Sequence, residues 1–158
     1  MKKKVIAAIF WIVATVGAIL CVRQKMLKDV KTWHRLAVKN DALLKVSACW
    51  AEKESKGESL AEKLQNKGYK NVAIYGYGVL GERVCNALKD TKVCVECVVD
   101  KGADEKIGNV LIVKPEDICQ QFDVLIVTAI KDFDAIKEEM ETKVSCPVVS
   151  FEDLIYED

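Results

Sequence analysis

The sequence predicts an α/β protein. It reads as a single Rossmann-like domain with a five-stranded parallel sheet of order 3-2-1-4-5, preceded by an N-terminal transmembrane helix and an amphipathic connector helix. Three observations carry this expectation. From residue 71 onward, short β-branched runs alternate with segments of helical period. The first run leads into Gly76-Tyr77-Gly78-Val79-Leu80-Gly81, a G-x-G-x-x-G turn. Ahead of both stand eighteen uncharged residues at 5–22.

Those eighteen residues rise roughly 27 Å as a helix, close to the hydrocarbon thickness of a bilayer. Lys2, Lys3 and Lys4 precede them, and Arg23, Lys25, Lys28, Lys31, Arg35 and Lys39 follow. Leu20 is too large for the position before a lipoprotein cysteine at Cys21, so residues 1–22 are expected to stay as an uncleaved, single-pass anchor. More positive charge follows the run than precedes it, which places the folded part on the cytoplasmic side. The seven cysteines are odd in number and scattered, and they read as reduced thiols, in agreement.

Residues 23–68 read as a helical connector. No proline or glycine falls between residues 23 and 54, and apolar residues recur at Met26, Val30, Trp33, Ala37 and Leu44. Two readings of this stripe stand. It packs on its own domain, or it is a self-association helix that pairs with a second copy. His34, the only histidine, reads as a surface residue of this helix. Residues 55–58 break it. Ser59 with Glu62 then predicts a capping box for a short helix that Gly68 stops.

Residues 69–158 carry the sheet. Strands are expected at 71–75, 93–99, 110–113, 123–128 and 147–150. The fourth is apolar on both faces, as a central parallel strand requires. Helices are expected at 79–89, after Pro115 through Cys119, and on the stripe Phe133, Ile136 and Met140. A last turn runs through Phe151, Leu154 and Ile155. Right-handed crossovers with one reversal give the strand order.

The glycine turn has the context that a dinucleotide fingerprint requires. Gly76 makes the tight turn, Gly78 leaves room for a phosphate, and Gly81 lets the helix approach the strand. The phosphate would lie over Val79 and Leu80 at the helix N-terminus. Asp100 follows Gly81 by 19 residues and would bond a ribose hydroxyl, while Lys101 beside it would accept a 2′-phosphate. The choice between NAD and NADP as cofactor therefore stays open. The switch point adds Thr128, Ala129 and Ile130. The alternative is a tight turn that holds no ligand, its site filled by Tyr77.

Other chemistry is limited by residue type. Lys plus Arg and Asp plus Glu are equal at 24 each, so no charge field recruits nucleic acid. Cys94 and Cys97 are three apart in an expected strand and point to opposite faces, so no metal is expected there. No Ser-His-Asp or Cys-His set assembles around one histidine, and no catalytic residue is assigned.

With the loop, Asp100, DVLIVTAIKDFDAI and CPVVSFEDLI in place, the chain resembles bacterial Rossmann-like domains labelled nucleoside-diphosphate-sugar epimerase-like, found with cell-surface polysaccharide synthesis. It is similar, more loosely, to the nucleotide-binding domain of CapD-type dehydratases and the N-terminal domain of PglD-type acetyltransferases. The resemblance covers residues 59–156. It implies a membrane-anchored nucleotide or nucleotide-sugar binding module, accessory to polysaccharide synthesis, with a polysaccharide-synthesis protein as an alternative partner of the connector helix. The Tyr-x-x-x-Lys pair of short-chain epimerases is missing, and the chain ends where such enzymes place their substrate region. An enzyme completed by a partner or second copy, and a ligand-free adaptor, are the alternatives.

Overall fold

The computed structural model describes residues 2–102, 110–118 and 121–157, with side chains from residue 16 onward. They divide into two compact units, one up to Asn40 and one from Asp41. A single helix, α1, runs over Lys2–Ser55, so no break separates the expected anchor from the connector.

The transmembrane expectation is corrected here. Among the described residues, no helix is long and apolar enough to cross a membrane. Of the run at 5–22, side chains are described only from Val16, and Val16–Val22 rises about 10 Å against a hydrocarbon core of about 30 Å. A window from Val16 long enough to span the hydrocarbon core, about 18 residues, takes in Arg23, Lys25, Lys28, Asp29 and Lys31. The orientation argument for a single-pass protein falls with the span.

In the second unit, the elements after α1 are α2 (Leu60–Asn66), β1 (Asn71–Tyr75), α3 (Val79–Leu88), β2 (Cys94–Val99), β3 (Ile112–Val113), β4 (Val124–Val127), α4 (Phe133–Glu141), β5 (Val148–Ser150) and α5 (Phe151–Tyr156). The sheet is all parallel with order β3-β2-β1-β4-β5, as the alternation predicts. Two expected details change. The strand expected at 110–113 is a regular strand only over Ile112–Val113, with Val110 as an isolated bridge before it. Pro115 opens a turn, closed by Asp117 N–H donating to Lys114 C=O at 3.0 Å, and Cys119 lies outside the described residues.

Alternation along the strands divides the core in two. Val72, Ile74, Val98, Val124 and Ile126 face a cluster built with Val46 and Trp50 of α1 and with α2, α3 and α5. Ala73, Tyr75, Cys97, Val99, Leu125 and Val127 face the other way, against Ile136 and Met140 of α4. Each fully buried aliphatic side chain contributes roughly 1.5–3 kcal/mol. Within the first cluster Trp50 meets Phe151 edge to face at 5.0 Å between centroids, while Arg83 lies 4.5 Å over its ring.

Helix ends follow local chemistry in part. Gly68 stops α2 at φ +85°, with Tyr69 N–H donating to Leu64 C=O and Gly68 N–H to Gln65 C=O. That pair of bonds is a Schellman motif, which only glycine enters without strain. Ser59 sits at the N-cap of α2 but makes no side-chain cap bond, so the expected capping box does not form. Ser150 instead caps α5, its hydroxyl accepting from Glu152 N–H at 3.1 Å.

β2 carries a bulge. Val72 pairs with Val95, but Ala73 pairs with Cys97, leaving Glu96 as an extra residue. Strict alternation between Cys94 and Cys97 therefore fails, and with it the argument that they face opposite ways. Cys97 is buried in the α4-side cluster and Cys94 is exposed. Among the described residues, no group of three metal-ligating side chains gathers, and Cys21, Cys49, Cys85, Cys94, Cys97 and Cys146 are free thiols.

Candidate functional site

The glycine turn lies where β1 ends and α3 begins, at the C-terminal edge of the sheet. Gly76 has φ +97° and donates its N–H to Val99 C=O at 2.8 Å, so the turn is stitched to the end of β2. A side chain there would meet Thr128 Oγ1 at 3.0 Å. Gly81 allows the helix to touch the turn: a Cβ on it would overlap the Gly76 carbonyl oxygen. Both outer glycines are thus required by packing alone.

Gly78 differs. It is the N-cap of α3 with φ −86°, and a Cβ added to it meets nothing within 4 Å. It brings no side-chain acceptor to the first turn, where the amides of Val79, Leu80 and Gly81 lack intrahelical carbonyls. Val79 is 75% exposed over this opening, whereas Leu80 is buried in the core. Glu82 is the one acidic residue of that first turn. The space expected for a phosphate is present, and the peptide dipoles there favour an anion.

The ribose side is arranged otherwise. Asp100 Oδ2 accepts Tyr77 N–H at 2.7 Å and its Oδ1 accepts Gly102 N–H at 2.8 Å. Its carboxylate holds the glycine loop to its own turn. Lys101 Nζ lies 3.0 Å from Glu139 Oε2 on α4, and this partner raises the lysine's pKa. Glu139, with Lys143 at 2.8 Å as well, is held below the usual carboxylate range. Tyr77 is half-buried and packs against the larger core cluster.

At the switch point Thr128 is buried, its Oγ1 lying 3.0 Å from both Tyr75 C=O and Gly76 C=O. Ala129 and Ile130 are half-buried, and Ile130–Asp132 forms a short 3-10 turn leading into α4. So the structure brings Gly76, Tyr77, Gly78, Gly81, Asp100 and Thr128 together, while Lys101 turns toward α4.

One residue beside the site escapes a sequence reading. Tyr75, just before Gly76, is buried with a hydroxyl that has no hydrogen-bond partner among the described residues. Burial pushes its phenol up, and the nearby Lys101 ammonium pulls the other way. An aromatic residue at the last position of a central strand is the only signal for it. Two cavities lie away from the loop. One of 550 Å³ is at the N-terminal edge of the sheet, lined by Asn71, Phe122, Asp123 and Cys146 among others. The other, of 200 Å³, lies beside β5 and α5.

The fold and this loop define a small doubly wound α/β domain with a glycine-turned helix N-terminus. The chain belongs to the C2185-like, N-terminal family, whose model matches residues 68–147 and so spans the loop, Asp100 and Thr128. No curated protein and no solved structure matches the chain.

Proposed function

We propose that the domain is a nucleotide or nucleotide-sugar binding module that takes a phosphate over Gly78. The observation that carries this is the open, uncapped first turn of α3, into which a Cβ at Gly78 projects without meeting an atom. The likeness to epimerase-like domains found with polysaccharide synthesis supports an accessory role in that process, with NAD(P) or a UDP-sugar as the ligand class. A second reading, a ligand-free adaptor, is favoured by Asp100. Both its oxygens already hold backbone amides, and Lys101 is paired with Glu139.

Calorimetry of the full chain with NAD(H), NADP(H) and UDP-sugars separates the two. Binding that is lost in Gly78→Val, with circular dichroism unchanged, supports the module. Absence of heat for every ligand at about millimolar concentration, weaker than about −4 kcal/mol of binding free energy, gives the adaptor.

A further inference from the structure

The described part of the first unit is a helix with two unlike faces. At about 100° per residue, Lys25, Lys28, Lys31, Arg35 and Lys39 fill one arc, and Ile19, Met26, Val30, Trp33 and Ala37 fill the opposite one. The apolar arc is open to solvent: Ile19 is 66% exposed, Met26 61%, Val30 63% and Trp33 72%. Their spacing is that of a heptad seam, with Val16, Arg23 and Asn40 at its three remaining core positions.

We propose that residues 16–40 pair antiparallel with the same residues of a second copy of this chain. Parallel, in-register pairing sets Arg23 against Arg23 and Trp33 against Trp33. Two like charges would then meet in a dry seam, and the two largest side chains would share one layer. Antiparallel pairing removes both conflicts, because Arg23 then opposes Trp33, Met26 opposes Val30 and Ile19 opposes Ala37. The guanidinium over an indole face is a favourable contact, and Arg83 makes it with Trp50 in the second unit. On the flanks Val22 faces Leu36, Leu20 faces His34 and Leu27 faces its own equivalent, while Asp29 also faces its own equivalent and leaves one like-charge pair at the solvent-exposed rim. At roughly 60–120 Å² for each seam and flank side chain, the nine side chains of Ile19, Leu20, Val22, Met26, Leu27, Val30, Trp33, Leu36 and Ala37 approach the ~800 Å² per partner of a stable interface.

A lipid surface suits this helix less well. Arg23 lies inside the apolar arc, between Ile19 and Met26, and would be drawn among acyl chains without a partner. A second copy supplies that partner as Trp33.

Sedimentation of the full chain is expected to show a monomer–dimer equilibrium between about 1 and 100 μM. Val30→Glu is expected to weaken it at least ~100-fold with far-UV circular dichroism unchanged. Benzoylphenylalanine in place of Trp33 is expected to crosslink around Arg23 of the second copy. A monomer throughout that range overturns the proposal, as does a dimer indifferent to Val30→Glu. Crosslinks to the second copy's own position 33, which mean parallel helices, overturn it too. So does binding to phosphatidylglycerol vesicles that Val30→Glu abolishes, in place of self-association.

Discussion

Asp100 Oδ2 accepts the Tyr77 amide proton across 2.7 Å, joining the tip of β2 to the middle of the glycine loop. A carboxylate expected to read a ribose instead holds the loop that would read the phosphate. Asp100→Ala is expected to destabilise the fold by about 1–3 kcal/mol, because two backbone amides lose a charged acceptor. Asp100→Asn retains one acceptor oxygen and turns a donor toward the other amide, so it recovers at most part of that loss. Urea denaturation of both variants measures the difference.

Gly81→Ala is expected to cost about 3 kcal/mol or more, since the added methyl overlaps the Gly76 carbonyl, a backbone atom fixed by its own turn. Gly78→Ala, facing open space, is expected to cost under ~1 kcal/mol. Equal denaturation midpoints for the two variants would contradict the packing roles assigned to these glycines.

Thr128→Val keeps the shape of a buried side chain and removes its hydroxyl donor. Two carbonyls, of Tyr75 and Gly76, lie 3.0 Å from that oxygen, and one of them loses its side-chain donor. A loss of about 1–2 kcal/mol is expected in the same measurement.

Asp123 Oδ2 accepts from the amides of Lys70 and Asn71 at 2.7 and 2.8 Å, and those bonds lower its pKa. A carboxyl lowered in the folded state stabilises fully above its unfolded pKa of about 3.9 and loses that contribution as pH falls through the folded value. The gap in denaturation midpoint between wild type and Asp123→Ala is therefore expected to be constant from pH 7 to about 5 and to close below about pH 4. A gap that widens on acidification would reverse the sign argued here.

Burial pushes the Cys85 thiol up to about 11, which leaves almost no thiolate near neutrality. Timed alkylation with iodoacetamide at about pH 8 should therefore modify exposed Cys21 well before Cys85. Peptide mapping reads the order, and early labelling of Cys85 in folded protein would count against the buried environment described for it.

The strand order was legible because each strand announces itself alone. Asn71–Tyr75 and Val124–Val127 are apolar runs between turn residues, and parallel crossovers leave few ways to join them. Gly76 and Gly81 were legible as packing glycines for the same reason, since their spacing is a rule of backbone geometry. Side-chain hydrogen bonds were not. Nothing local tells whether Asp100 faces a ligand or turns back on Tyr77, because both uses need a carboxylate at one place. Ser59 shows the same limit from the other side: its spacing to Glu62 fits a capping box, yet its hydroxyl makes no cap bond. Length alone makes the eighteen-residue apolar run look like a span, but the described helix continues from Val16 into a charge at nearly every turn.

The extra residue in β2 bears on how this strand accommodates a change of length. Removing one residue from a strand normally exchanges its two faces and turns a core inside out. Here Val72 and Val95 share one side of the sheet and Ala73 and Cys97 the other, with Glu96 alone outside the ladder. A chain lacking Glu96 would keep every pairing partner on its present side and form a regular ladder in place of the bulge. Single-residue deletions at Val95 or Cys97 would instead remove a core side chain. Within β2, Glu96 is therefore the site where the chain can shorten by one residue without exchanging inside for outside.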